Sequence, residues 1–316
     1  MNKILITGGA GFICSHLIEK IINKNKIIIY DNFKRNSIKF TKLVGHKNLT
    51  IIQGDVLDHR ELEKAMKGIE IVIHAAAIAG IYSVGSNATH TMKVNLIGSY
   101  NALESSVKNK VKRFIDFSTS EVYGPFVYKG KETDSTTLGP VGEKRWVYAV
   151  SKLATEHLAH TYYEQYGLEV ITIRPFNVYG PRQIGEGAIQ QMTLRALKNE
   201  PIIIYNEGTQ IRSWCYVEDF ISGLEKTISK AGIAGKVFNL GNPLGTVTNI
   251  ELANKIKSIA GSSSQIKFKK HPGPEVEIRV PDITHAEKVL GYLPKISLDE
   301  GLKISIDWYR KHLREI

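Results

Sequence analysis

The stretch that decides the fold comes first: Lys3-Ile4-Leu5-Ile6-Thr7-Gly8-Gly9-Ala10-Gly11-Phe12-Ile13-Cys14. Lys3–Thr7 reads as a strand, the glycines as a tight turn, and the residues to Ile22 as an amphipathic helix. The same rhythm continues outward. Lys26–Tyr30, Leu49–Gln53, Ile69–His74, Lys112–Ser118 and Leu168–Arg174 read as further strands, and Arg60–Lys67, Ala88–Lys108 and Trp146–Tyr166 as helices between them. Such alternation predicts an α/β fold, a doubly wound parallel sheet with helices on both faces and ligands at the carboxyl ends of its strands. Residues 124–145, rich in Gly, Pro, Thr and Lys, read as a loop.

Beyond Pro175 the rhythm changes. Short strands at Pro201–Tyr205 and Lys236–Leu240 mix with helices near Ala188–Lys198, Val217–Ser229, Asn249–Ala260 and Leu298–His312. A smaller C-terminal α/β lobe is expected over 177–316, with 1–176 as the cofactor domain and elements of 214–240 completing its sheet.

Glycines in the first turn let the backbone approach a pyrophosphate, whose charge then sits at a helix N-terminus. Asp31 ends the second strand about 20 residues further on, where a carboxylate accepts hydrogen bonds from a ribose and repels a 2′-phosphate. NAD is thus expected rather than NADP. Cys14 stands where the fingerprint has its last glycine, and a small buried thiol is the expected role for it.

Composition narrows the function classes. The 316 residues carry 42 Lys plus Arg against 31 Asp plus Glu, a net charge of +11. These basic residues are scattered, with no long run or aromatic-interleaved stripe, so neither nucleic acid nor a membrane is an expected partner. The longest apolar stretch, Ile71–Tyr82, is too short to span a bilayer, and the glycines near the N-terminus break any signal-peptide core. Cys14 and Cys215 match neither a disulfide framework nor a zinc spacing. A cytoplasmic location and no metal are expected.

Two further motifs carry chemistry. In Tyr148-Ala149-Val150-Ser151-Lys152 the phenol and the ammonium lie four apart on one helix face. A free tyrosine titrates near about 10, and a nearby ammonium favours its phenolate, the form that takes a proton from an alcohol. Phe117-Ser118-Thr119-Ser120-Glu121-Val122-Tyr123-Gly124 ends the fifth strand at the edge where the cofactor is expected, supplying hydroxyls and one carboxylate.

Together these residues resemble the extended short-chain dehydrogenase/reductase family in its nucleotide-sugar branch. The resemblance includes Gly54-Asp55-Val56, His74-Ala75-Ala76-Ala77, Asn95, Arg174-Pro175-Phe176-Asn177-Val178-Tyr179-Gly180-Pro181-Arg182-Gln183, Arg212-Ser213-Trp214-Cys215-Tyr216-Val217-Glu218-Asp219 and Leu290-Gly291-Tyr292-Leu293-Pro294. It implies a Rossmann-type cofactor domain and a lobe that grips a nucleoside-diphosphate sugar. Cofactor contacts are then expected at Gly8, Gly11, Phe12, Ile13, Asp31, Asn32, Asp55, Val56, Ala75, Ala76, Asn95, Tyr148 and Lys152. Substrate contacts are expected at Tyr82, Asn177, Arg182, Tyr205, Arg212 and Arg279. The catalytic group implied is Tyr148, Lys152, Thr119, Ser120 and Glu121. The helices at Ala88–Lys108 and Trp146–Tyr166 resemble the pair that joins family members into a homodimer through a four-helix bundle, with Leu153, Leu158, Ala159 and Tyr162 as its apolar positions.

The family's chemistry begins with oxidation of the sugar C4 hydroxyl. A carboxylate on C5 then makes a β-keto acid that loses CO2, a CH2OH there permits loss of water, and an inert C5 leaves inversion at C4. Thr119-Ser120-Glu121 and Glu275-Val276-Glu277-Ile278-Arg279-Val280-Pro281-Asp282-Ile283 are similar to UDP-glucuronate decarboxylases. Most 4,6-dehydratases carry an Asp where Ser120 stands, and plain 4-epimerases usually lack the glutamate. A 4-epimerase acting on UDP-glucose or UDP-glucuronate, a 4,6-dehydratase, a non-catalytic NAD-binding protein and a nucleic-acid-binding relative remain as alternatives. Lys144 and Arg145, before Tyr148, read as solvated loop charges.

Overall fold

Isoleucine-rich runs build the centre of the molecule. The computed structural model describes residues 1–271 and 273–316. The first part of the chain forms strands β1 (Lys3–Thr7), β2 (Lys26–Asp31), β3 (Leu49–Gln53), β4 (Ile71–His74), β5 (Arg113–Phe117), β6 (Phe126–Gly130) and β7 (Glu169–Pro175). The rest adds β8 (Val178–Tyr179), β9 (Ile202–Tyr205), β10 (Ile211–Ser213), β11 (Cys215–Tyr216), β12 (Val237–Leu240), β13 (Thr246–Thr248), β14 (Ile266–Lys269) and β15 (Ile278–Pro281). Helices are α1 (Phe12–Ile21), α2 (His59–Ala65), α3 (Ile81–Ser86), α4 (Ala88–Met92), α5 (Gly98–Lys108), α6 (Val147–Tyr166), α7 (Ala188–Leu197), α8 (Val217–Ser229), α9 (Asn249–Ala260), α10 (Thr284–Leu290) and α11 (Leu298–Lys311).

Seven parallel strands run in the order β12-β7-β5-β4-β1-β2-β3. Along β1, Ile4 and Ile6 enter one apolar cluster with Leu17 and Ile18 of α1, and Leu5 enters another with Leu62 of α2 and Leu103 of α5. Both sheet faces are therefore covered, as a parallel sheet requires. The strand order reverses between β1 and β4, and that switch point opens the crevice where such sheets bind ligands.

Two segments cross between the sheet and the C-terminal lobe. β12 adds to the main sheet beside β7. β6 lies inside the segment read as a loop, yet it pairs with β15 at the edge of the lobe's sheet, β13-β10-β15-β6. A single boundary at 176 is thus crossed in both directions. The helix expected over 88–108 is interrupted by a π-helical turn, Lys93–Ile97, between α4 and α5. That widened turn carries Asn95, whose amide accepts from Ile78 N and donates to Ile78 O and Ser151 Oγ.

Helix α6 is pinned to β7 by a buried ion pair. Arg174 Nε and Nη2 donate to Glu156 at 2.9 and 2.7 Å, and Arg174 Nη1 donates to Tyr123 Oη at 2.8 Å. Removing one partner leaves an uncompensated buried charge. Arg174→Leu is expected to lower unfolding free energy by roughly 3–5 kcal/mol in urea titrations.

Candidate active site

The first turn is shaped by a close backbone approach. Gly8 has φ of +70°, and a Cβ there would lie 2.7 Å from Ala76 N and 2.8 Å from Ala75 C. No side chain fits, so the turn lies flat on the chain leaving β4. Gly11 then caps α1, whose N-terminal N–H groups and dipole favour an anion. A cavity of about 630 Å³ opens beside this turn, lined by Gly8, Gly11, Phe12, Ile13, Asp31, Asn32, Asp55, Val56, Ala75 and Ala76, and by Phe117 at the end of β5. Asp31 accepts from Ala10 N at 3.0 Å and Phe33 N at 2.7 Å. Burial nonetheless holds its pKa above the usual carboxylate range. Asn95 does not line this cavity and instead braces the Ile78 loop against α6. Cys14 is 2% exposed and burial pushes its thiol up to about 12, which suits a packing role and not a nucleophile.

Thr119, Ser120 and Glu121 follow directly on β5. Thr119 Oγ1 accepts from Glu121 N, starting a tight 3₁₀ turn, and Ser120 is buried within it. Tyr148 lies in the first turn of α6 with Lys152 one turn later. Burial, then Glu121, pushes the phenol's pKa up, while Thr119 and Arg279 pull it down. Lys152 is 1% exposed. Burial lowers its pKa, and Asp116 and Glu156 oppose that shift. Glu156 thus acts on the ammonium from beneath the site, Glu121 and Arg279 act on the phenol from its lining, and Asp116 acts on both.

Glu121 is held between two guanidiniums. Arg145 Nη1 and Nη2 donate to it at 2.5 and 2.9 Å, and Arg279 Nη1 donates at 3.3 Å. Burial alone would raise this carboxyl, but Arg279 and then Arg145 outweigh it and bring its pKa down to about 2. The solvated-loop reading of Arg145 is thus corrected: its side chain is 14% exposed and belongs to the site. The signal for it was its place three residues before Tyr148, but its partner is 24 residues away and no local pattern names it.

Arg212 and Arg279 are register neighbours on β10 and β15. Among the described residues Arg212 donates only to carbonyls, those of Ile211, Val276 and Glu277. Burial, then Arg279, lowers its pKa to about 10. Three guanidiniums therefore crowd one end of the site, an arrangement that an anion relieves. Asn177, at φ +38°, donates to Ser213 O at 3.0 Å. Tyr82 and Tyr205 share a hydroxyl contact of 2.9 Å, with Tyr82 69% exposed. Arg182 departs from its expected role. It is 6% exposed and donates to Glu19 at 2.6 Å and His16 at 3.3 Å, so it joins the lobe to α1 and presents no free charge.

A Gly-rich turn at a sheet switch point, with Asp31 at the end of the next strand, has the geometry of a dinucleotide-binding enzyme. Residues 4–241 match the family model described as the NAD dependent epimerase/dehydratase family, and the chain belongs to that family. It is 36% identical over 317 residues to UDP-glucuronic acid decarboxylase 5 of Arabidopsis thaliana, covering 98% of this chain and 90% of that one. It is 32% identical over 321 residues to UDP-N-acetyl-alpha-D-glucosaminuronate decarboxylase of Bacillus cytotoxicus, covering 98% of each. Among solved structures, UDP-glucuronic acid 4-epimerase of Bacillus cereus in complex with UDP-glucuronic acid and NAD superposes with a TM-score of 0.89. Its identity is 30%, over 98% of this chain and 99% of that one. The chain is an NAD-dependent enzyme of the nucleotide-sugar branch.

The residues present fit that cofactor. The cradle at Gly8 admits no Cβ, the helix N-terminus faces the cavity, and Asp31 supplies the carboxylate a ribose needs. Among the described residues no group of three or more His, Cys, Asp or Glu could hold a metal ion, and no helix is long and apolar enough to cross a membrane. Gly8→Ala is expected to weaken NAD binding at least about tenfold by calorimetry, because the added methyl overlaps the Ala76 backbone.

Proposed function

We propose that this enzyme decarboxylates a UDP-linked uronic acid, UDP-glucuronate first among them, through transient oxidation at C4. The observation that carries this reading is Glu121, fixed as a carboxylate between Arg145 and Arg279 beside Tyr148. Dehydration needs an acid that protonates the departing hydroxyl. The Ser120 hydroxyl is far too weak an acid for that, and Arg279 and Arg145 hold Glu121 as a carboxylate well below neutral pH. Loss of CO2 needs no acid at that position; it needs a ketone β to the carboxylate and stabilisation of the resulting enolate.

Tyr148 takes the C4 hydroxyl proton while Thr119 orients the oxygen. Held at the Gly8 cradle, the α1 N-terminus and Asp31, NAD would supply the acceptor for the C4 hydride and the donor that restores it after CO2 has left, when Tyr148 gives its proton back to the C4 oxygen. While C4 is a ketone, the bond from C5 to the carboxylate carbon breaks, CO2 leaves, and the electron pair moves onto the C4 oxygen. Tyr148 and Thr119 hydrogen-bond that oxyanion, and C5 takes one proton from water. Arg145, Arg212 and Arg279 attract the anionic nucleotide sugar. The names of the two decarboxylase relatives support this reading. A UDP-glucuronate 4-epimerase is the second reading, favoured by the 4-epimerase of the same fold crystallised with that sugar nucleotide.

We also propose a homodimer through α5 and α6. Ala159 and Tyr162, expected on the dimer face, are buried in the chain's own core, and the exposed apolar residues are instead Ile97, Tyr100, Val150 and Tyr166. The proposed compartment is the cytoplasm, where the free buried thiols Cys14 and Cys215 stay reduced.

Mass spectrometry after incubation with UDP-glucuronate, UDP-glucose and UDP-N-acetylglucosamine is expected to show loss of CO2 from the first alone. Unchanged mass with a chromatographic epimer would favour the second reading, and loss of water would overturn the exclusion of dehydration. Tyr148→Phe is expected to lower turnover roughly 10²–10⁴-fold. Light scattering is expected to give twice the chain mass; a monomer at micromolar concentration would contradict the dimer.

A further inference from the structure

Beneath Tyr148 and Lys152 lies a carboxylate that the chemistry above leaves unused. Asp116 sits in β5 between His74 of β4 and Thr172 of β7 in the sheet register, and it is 1% exposed. Its Oδ2 has no hydrogen-bond partner among the described residues, and neither has the buried hydroxyl of Ser118, two residues on and therefore on the same face. Phe114, also on that face, packs in one cluster with Leu103 of α5 and Ala159 and Tyr162 of α6, so these two helices cover it. A buried carboxylate without full hydrogen bonding costs stability, and an apolar residue would serve the fold better.

The charged groups around Asp116 sort by what already holds them. On α6, Glu156 is neutralised by the two bonds from Arg174 of β7. On β4, His74 contacts Thr7 Oγ1 and Ser99 Oγ, and burial, then Lys152, pushes its pKa down to about 3, so it stays neutral. Tyr148, also on α6, has its phenol pushed up by burial and then by Glu121. Lys152 remains: it is buried, and no hydrogen bond from its ammonium is found among the described residues. Burial pushes Asp116 up to about 6, with Lys152 opposing that shift, and Asp116 in turn opposes the fall of Lys152. Asp116 is also among the charges that raise Tyr148.

We propose that Asp116 is a positioning residue: set in β5 beneath α6, it holds the buried Lys152 ammonium charged and sets the pH window in which Tyr148 exchanges a proton with the sugar hydroxyl. This rests on the assignment of Tyr148 as the base. No bond to substrate is involved; Asp116 acts through Lys152 and through the field at the phenol.

The sign of its effect follows from its charge. Removing a negative charge makes the phenolate easier to form and the ammonium easier to deprotonate, so both limbs of the activity profile move in the same direction. In the full chain, Asp116→Asn is expected to shift the acid and alkaline limbs of kcat/KM on UDP-glucuronate to lower pH, each by about half a pH unit or more. Asp116→Glu, which keeps the carboxylate, is expected to leave the limbs near those of the unaltered enzyme. Asp116→Ser, smaller and neutral, is expected to repeat the shift and replaces the asparagine variant if that one fails to fold. A lower plateau with unmoved limbs in the neutral variants would mean a purely structural role and overturn the proposal. Limbs moving in opposite directions would overturn it equally. An unaltered enzyme inert toward all three sugar nucleotides would bring down the reading of the site itself, a different result from a bell-shaped profile that the variants fail to move.

Discussion

The buried ion pair between Glu156 and Arg174 decides where α6 lies, and α6 carries the residues proposed for the chemistry. Tyr148 and Lys152 sit on its first turns, and Arg145 in the 3₁₀ turn just before it. A long helix packed on apolar contacts alone could settle in neighbouring registers against the sheet with small losses. A bidentate guanidinium pair has one geometry, and its misalignment strands two charges in the core. Arg174 also binds Tyr123, whose hydroxyl donates to Asn239 Oδ1 of β12. The turn after β5, the helix and the last strand of the main sheet are thus held by one polar network.

On that frame the site gathers charge at the expense of stability. Arg212 and Arg279 stand side by side, Glu121 takes up two guanidiniums, and Asp116 is buried with one oxygen unsatisfied. None of these arrangements would be selected for packing. Each makes sense where an anionic sugar nucleotide must be drawn in and charge on a C4 oxygen must be stabilised as it forms, because preoriented groups need no reorganisation at that moment.

How much of this was legible in the sequence depended on how local the cause was. β1, β3, α8 and α9 have the boundaries their patterns indicated, because apolar period and flanking turns are local signals. The glycine turn and Asp31 were legible because backbone shape and strand ends are written within about 25 residues. What failed was non-local. α3 is capped by Glu186, whose carboxylate accepts from Tyr82 N at 2.7 Å and Ser83 N at 3.1 Å, a partner more than a hundred residues away. β6 became a strand only because β15 offers its edge. Arg145 looked like a surface charge until Glu121 faced it, and Arg182 looked like a substrate ligand until Glu19 did. Asp116, set among Phe, Ile and Ser, carried no motif at all.

The two crossings between sheet and lobe bear on the mechanism. Arg212 and Arg279, proposed to face the sugar, stand on β10 and β15, while Thr119 and Glu121 follow β5. β6 joins these regions directly: it pairs with β15, Glu277 N donates to Pro125 O at 2.8 Å, and Arg279 Nη2 donates to Gly124 O at 3.2 Å. The clamp on Glu121 is therefore assembled by the strand that follows it in sequence, and it does not wait for a hinge to close. A reaction that removes a hydride from C4 and later returns it must keep one ketone in one place through an intervening bond cleavage. A lobe stitched to the sheet by shared strands meets that need better than one swinging on a linker, since any opening would have to break backbone hydrogen bonds on both sides of the site.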